Sequence, residues 1–290
     1  MKNEFLLIGK EVDLNNHPPY LWELQDGSSV TVGDLHANPI KFIYILIKYG
    51  ILKLEKEEDY QQLVDIYKCA ELSRESEDMP SSKELIAKFD DILLRATCEN
   101  KNILVRLIGD EFFDRGAGDE FIISIYRKLK QERSPIISLF SNHVFALLEY
   151  YVENFSAAGL ESISYMINPA QCVSYNGHYR RGRGLWNLMQ DSVNDKLYSV
   201  DAIKKFFKED YRSTLKLLDY EIITSPNGDE KRLVIFSHAP IGLETIKGLA
   251  DKWGILYSDL VIEDLAQVID QINATFNRLS NEDIVLAIWI

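Results

Sequence analysis

Leu107-Ile108-Gly109-Asp110-Glu111-Phe112-Phe113-Asp114-Arg115-Gly116 takes an apolar run into acids, an arginine and two turn-permitting glycines. With the preceding Ile103-Leu104-Val105-Arg106 it reads as a near-continuously apolar strand, buried on both faces, that delivers charge to its tip. Gly109 lets the backbone turn sharply as it leaves the sheet. Asp110 then stands at the strand's carboxyl end, the edge where open α/β sheets bind ligands. Taken alone, two acids after a strand also suit a helix cap or a solvated loop.

The stretch does not stand alone. Ser29-Val30-Thr31-Val32-Gly33-Asp34-Leu35-His36 is another strand ending in Gly-Asp, with a histidine two residues on. Pro135-Ile136-Ile137-Ser138-Leu139-Phe140-Ser141-Asn142-His143 ends a strand in Asn-His, and Leu233-Val234-Ile235-Phe236-Ser237-His238 ends one in Ser-His. Four apolar strands thus deliver Asp, His or Asn at the same end, a ligand mixture that manganese, iron and zinc favour. The expected fold is α/β, a central pair of sheets with flanking helices and the ligands at the strand ends.

Composition narrows the function classes. The chain has 290 residues, 46% of them hydrophobic, enough for one large domain or two. Its net charge of −13 argues against general binding to nucleic acid or an anionic membrane. No apolar run approaches a membrane span, and Phe5-Leu6-Leu7-Ile8 is too short for a secretory signal. Three cysteines, Cys69, Cys98 and Cys172, lack CxxC spacing, which suits a reducing compartment such as the cytoplasm.

Along the chain, Tyr20-Leu21-Trp22-Glu23-Leu24 and Val30-Thr31-Val32 form a hairpin pattern about Asp26-Gly27. Asn38 is a good N-cap, Pro39 a good first helical residue, and Ile40 to Tyr49 an apolar helix stopped by Gly50. His36 therefore precedes a helix N-terminus, a place suited to phosphate, the bland alternative being that it caps or packs there. Residues 53–100 read as an inserted helical hairpin, with Leu63, Ile66, Tyr67 and Ala70 on one face and Leu85, Phe89, Ile92 and Leu93 on another. Ser81 to Glu84 has capping-box spacing.

A helical pattern runs from Val144 to Tyr151, and residues 152–220 form a second insertion. It holds the basic cluster His178-Tyr179-Arg180-Arg181-Gly182-Arg183, which could greet a phosphorylated substrate or balance acidic neighbours as a loop, and a helical segment from about Val200 to Leu218. Tyr220 to Ile223 and Leu233 to Phe236 suggest a hairpin about Pro226-Asn227-Gly228-Asp229, followed by two helical patterns. Either insertion could wall the cleft or pack away from it.

Gly33-Asp34-Leu35-His36, Gly109-Asp110-Glu111-Phe112-Phe113-Asp114-Arg115-Gly116 and Asn142-His143 resemble, in order, the GDxHG, GDxxDRG and GNHE signatures of the phosphoprotein phosphatase family. Ser237-His238-Ala239-Pro240-Ile241-Gly242 looks like that family's HGG segment. Ala37, Ser141, Val144 and Ala239 depart from the usual family residues, and such relaxed motifs with helical insertions are similar to the divergent bacterial branch of Wip-type phosphatases injected into host cells.

The resemblance implies a calcineurin-like metallophosphoesterase fold, a β-sandwich flanked by helices, spanning residues 1–290 as one catalytic domain with insertions at about 53–100 and 152–220. It implies two divalent metals, manganese first, with iron or zinc as alternatives. Asp34, His36 and Asp110 would hold one, and Asp110, Asn142 and His238 the other. Arg115 and Asn142 would hold the substrate phosphate, and His143, oriented by Asp114, would protonate the leaving group. A metal-bridging hydroxide would attack directly.

The substrate this implies is a phosphorylated protein bearing phosphoserine, phosphothreonine or phosphotyrosine. A small-molecule phosphoesterase of the diadenosine tetraphosphate hydrolase kind shares the motifs, and a non-catalytic module with a relic site is the third reading. The family's last histidine ligand and a phosphate-binding arginine have no counterpart after His238, where the only arginine is Arg278. The expectation is therefore a chain that continues beyond Ile290; His17 or His178 could substitute for the missing ligand, but each sits in a loop with no strand to aim it.

Overall fold

Alternation along β1 (Ser29–Val32) and β4 (Leu104–Leu107) decides the layers. Val30, Val32, Val105 and Leu107 point to one face of the sheet and are buried, while Ser29, Thr31 and Arg106 point to the other. The computed structural model describes residues 28–72, 80–112, 118–146, 200–225 and 230–282. The strand expected over 20–24, the rest of the 152–220 insertion and the closing apolar run lie outside them.

Connections between the first strands run through helices: α1 (Pro39–Lys48), then β2 (Leu52–Lys53), α2 (Glu57–Leu72), α3 (Ser82–Arg95) and β3 (Thr97–Cys98), then β4. After it come α4 (Asp119–Gln131), β5 (Ile136–Leu139), α5 (Asn142–Ala146) and α6 (Val200–Lys205). A π-helical stretch Phe206–Tyr211 and a 3₁₀ turn Arg212–Thr214 lead to β6 (Leu215–Lys216). The chain continues through β7 (Asp219–Thr224), β8 (Lys231–Phe236), α7 (Leu243–Lys252) and α8 (Ile262–Glu282).

Strands β1, β4, β5 and β6 form a parallel sheet in the order β1-β4-β5-β6. All their carboxyl ends therefore lie on one edge, as the shared ligand positions required. The sheet's apolar face packs beneath α1, α4 and the α2–α3 hairpin, with Phe42, Leu46, Leu63, Phe89, Ile122 and Leu129 in the same core.

Local signals account for the helix bounds. Asn38 Oδ1 accepts the Lys41 amide at 2.9 Å with Pro39 in the first turn of α1. Ser81 and Glu84 close the predicted capping box of α3. The α2–α3 hairpin is a layer of the core, with Phe89 stacked 4.4 Å from Phe121 of α4, and β2 pairs with β3 to close its base.

On the opposite face lies the antiparallel β7–β8 hairpin. Asp219 and Glu221 of β7 and Phe236 of β8 meet Arg106 of the sheet. Tyr220, Leu233 and Ile235 turn the other way, into a second core with Ile246, Leu265, Ile269 and Ile272 of α7 and α8. The order is helices, parallel sheet, hairpin, helices, so the expected α/β pattern holds and its main sheet is parallel.

The expected hairpin of Tyr220 to Ile223 with Leu233 to Phe236 is present as β7–β8. Two sequence expectations change. Leu215 and Lys216 are not helical but pair with Ser138 and Leu139 as the sheet's fourth strand. β4 is not apolar on both faces, because Arg106 is buried at 1% exposure between sheet and hairpin.

Candidate active site

The carboxyl-edge turns are built from left-handed residues. Gly109 has φ +99°, and a Cβ there would come within 2.8 Å of His238 Nδ1 and Ser141 Cβ, so glycine alone lets the two neighbours close in. Asp110 follows with φ 53°, and in the first turn His36 and Ala37 have φ 45° and 57°. Backbone bonds lock the two turns together: the His36 amide donates to Asp110 O at 2.8 Å and the Ala37 amide to Glu111 O at 2.9 Å. Ala37 thus occupies a conformation that favours glycine, the residue its motif would carry.

These turns gather the predicted side chains. Carboxylate and imidazole ligand atoms of Asp34, Asp110 and His238 lie within 4.8 Å of one another, as do those of His36, Asp110 and His143. In the structure His36 Nε2 is 3.9 Å from Asp34 Oδ2, and its ring stands edge-on to His143 with centroids 5.8 Å apart. Asp110 belongs to both groups. Asp114, Arg115, His17 and His178 lie outside the described residues.

His238 has a defined tautomer. Its Nδ1 is 2.9 Å from Ile108 O, and because a carbonyl only accepts, Nδ1 carries the proton. Nε2 then faces two oxygens, Asn142 Oδ1 at 3.1 Å and Asp110 Oδ1 at 3.7 Å. Asp110 Oδ1 is buried with no hydrogen-bond partner among the described residues. A ring nitrogen directed at a carboxylate oxygen and an amide oxygen marks a place that a proton or a cation would fill. The donors fit a divalent metal of the borderline class.

Several supporting side chains had no part in the sequence reading. Ser141 Oγ accepts the amides of Asp110 and Val144, both at 3.2 Å, fastening the Asp110 turn to the helix that carries Asn142 and His143. A serine just before a helix is an N-cap signal, so it was findable. Lys41 Nζ donates to Gly33 O at 3.1 Å and Asp34 O at 2.9 Å, placing a cation beside the first turn. Burial pulls the Lys41 pKa below its ordinary value, and the Asp34 charge partly restores it.

Glu111 turns inward. It is fully buried, and Tyr211 donates to its Oε2 at 2.9 Å. Burial pushes its carboxyl up to about 7, bonds from its own backbone, Ser138 and Tyr211 pull it down, and the Asp110 charge adds to the rise. Phe112, Phe206, Phe207 and Tyr126 complete an aromatic pocket around these groups.

A model of the WipA-like phosphatase domain matches residues 104–289, more than half of the chain. The chain belongs to that family. This WipA-like phosphatase domain is similar to the phosphatase domain of the Legionella effector WipB, at 27% identity and a TM-score of 0.69, over 89% of this chain and 82% of that one. No curated protein matches it. The family match takes in Asp110, Asn142, His143 and His238. The structural likeness extends over nearly the whole chain. No helix among the described residues is long and apolar enough to cross a membrane.

Proposed function

We propose that this phosphatase is a metal-dependent protein phosphatase of the phosphoprotein phosphatase type, hydrolysing phosphoserine, phosphothreonine or phosphotyrosine monoesters with two divalent cations, manganese first. The observation that carries the reading is His238 Nε2 facing Asp110 Oδ1 and Asn142 Oδ1, with Asp110 Oδ1 otherwise unpartnered. Asp110 is the residue common to both donor groups, as a bridging carboxylate is. Asp34, His36 and Asp110 would hold one cation, and Asp110, Asn142 and His238 the other. When bound, such a pair supplies Lewis acidity at the phosphoryl oxygens and acidifies a water towards neutral pH.

The chain's own groups would do the rest. His143, beside His36 and outside the Asn142–His238 contact, would protonate the departing oxygen. Arg115 and Asp114 take their roles from the motif they complete, as phosphate clamp and as the group that orients His143. The phosphatase domain of the effector WipB is one structural relative. By that likeness the working place proposed here is a host cell's cytoplasm and the substrate a phosphoprotein.

The experiment is turnover of a phosphopeptide, of a dinucleotide polyphosphate and of an aryl phosphate with added manganese. The phosphopeptide should be preferred. Asp110→Asn should abolish turnover of all three. His143→Ala should lose about 10²–10⁴-fold on the phosphopeptide, whose leaving group is poor, and much less on an activated aryl phosphate. Preference for the dinucleotide would overturn the protein-substrate assignment, and equal losses on both leaving groups would overturn the general acid.

A further inference from the structure

Three of the four strands that end in proposed ligands are joined behind the site by one buried cation. Arg106 of β4 sits four positions before Asp110, and every nitrogen of its guanidinium has an acceptor. Nε donates to Asp219 Oδ2 at 2.7 Å, Nη1 to Ser29 Oγ at 2.9 Å and Thr31 Oγ1 at 3.0 Å, and Nη2 to Glu221 Oε1 at 3.0 Å. Ser29 also donates to Glu221, and Lys216 Nζ of β6 donates to Asp219 Oδ1 at 2.8 Å. The guanidinium lies 3.9 Å above the centre of the Phe236 ring, two residues before His238. One side chain thus fixes β1, which leads to Asp34 and His36, and the hairpin, which leads to His238, against the strand that leads to Asp110.

We infer that Arg106 is a positioning residue that aims His238 at Asp110. The inference rests on the site reading above. Stability alone does not account for such a group, because buried ion pairs are commonly replaced by apolar residues of similar volume at no cost. What the planar fork supplies is direction. Its bonds to Asp219 and Glu221 set how far β7 and β8 slide along the sheet, and its contact with Phe236 sets where β8 ends. His238 has to meet both the Ile108 carbonyl and the oxygens of Asp110 and Asn142, which leaves little room for such a slide.

The test is manganese binding, followed by calorimetric titration, on the wild type, His238→Ala, Arg106→Lys, the matched replacement Arg106→Met/Asp219→Asn/Glu221→Gln, and that replacement combined with His238→Ala. The matched replacement leaves no unpaired buried charge and should melt close to the wild type. It should bind the His238-dependent manganese about tenfold more weakly, the size of loss expected when support behind a ligand is removed. Made in the His238→Ala background it should cause no further loss, because Arg106 acts only through that ligand. Arg106→Lys, which keeps charge without the fork, should fall between, and carries the test if the replacement fails to fold. Wild-type affinity in a folded Arg106 variant would overturn the inference, and so would losses that simply multiply with that of His238→Ala. Unchanged manganese binding by His238→Ala would remove the site reading itself, and this inference with it.

Discussion

Two buried charges lie five positions apart on the same strand and turn, and the molecule treats them oppositely. Arg106, between the sheet and the β7–β8 hairpin, has an acceptor for each guanidinium nitrogen and an aromatic face besides. Glu111, on the side of α4 and the Phe206–Tyr211 turn, receives a phenol hydrogen bond at Oε2, while Oε1 has no hydrogen-bond partner among the described residues. The first charge is compensated and kept. The second is under-compensated and is held near neutrality, with its carboxyl at about 7. The difference shows that burial does not decide the state of an ionisable group; the number of partners arranged before it arrives does.

The sharpest way to break the comparison is to strip one partner. Arg106→Met alone leaves Asp219 buried without its guanidinium, and unfolding free energy should fall by about 3–5 kcal/mol. Urea unfolding followed by far-ultraviolet dichroism measures it. A loss below 1 kcal/mol would mean that Asp219 is satisfied by Lys216, with which it also pairs.

Next comes the acid, in chelator so that no metal charge intervenes. Because the folded value of Glu111 lies above its ordinary 4.5, the native protein holds a proton that the unfolded chain has lost, and stability falls as pH rises from 4.5 through about 7. The full shift corresponds to about 3 kcal/mol. Glu111→Gln should therefore unfold like the wild type near pH 4.5 and be more stable by about that amount near pH 8. A difference that does not change with pH would show that Glu111 is ionised throughout.

The smallest effect tests the turn itself. Ala37→Gly relieves a left-handed alanine at φ 57° and should raise stability by no more than about 1 kcal/mol. Loss of stability on thermal unfolding would show that the buried Ala37 methyl group contributes more by packing than its backbone costs.

What was legible in the sequence follows from how locally each feature is encoded. The Gly-Asp turns, the Asn38 and Ser81 caps and the α2–α3 faces are written within a few residues, and each formed where expected. Arg106 gives no signal in the sequence because one charge in an apolar strand carries no pattern. Its carboxylate partners stand 113 and 115 residues away. β6 reads as part of a helix because two paired residues are too few for a period of two to show. The position of the candidate ligands was readable, since strand ends announce themselves. Which side chains meet there is not written in any one strand, because His36 lies near both Asp34 and His143 and its direction is set by both turns together.

The two-residue ladder between Leu52–Lys53 and Thr97–Cys98 has a consequence for engineering this chain. It brings the entry and exit of the helical hairpin side by side, so by topology residues 57–95 form a cassette that a short linker could replace. By packing they do not. Phe89 covers Phe121, and Leu63, Leu85 and Ile92 belong to the same core as the sheet. Excision would bare that face of α4, leaving a shortened protein that seeks another apolar surface to cover it, and the product to expect is an aggregate rather than a minimal enzyme.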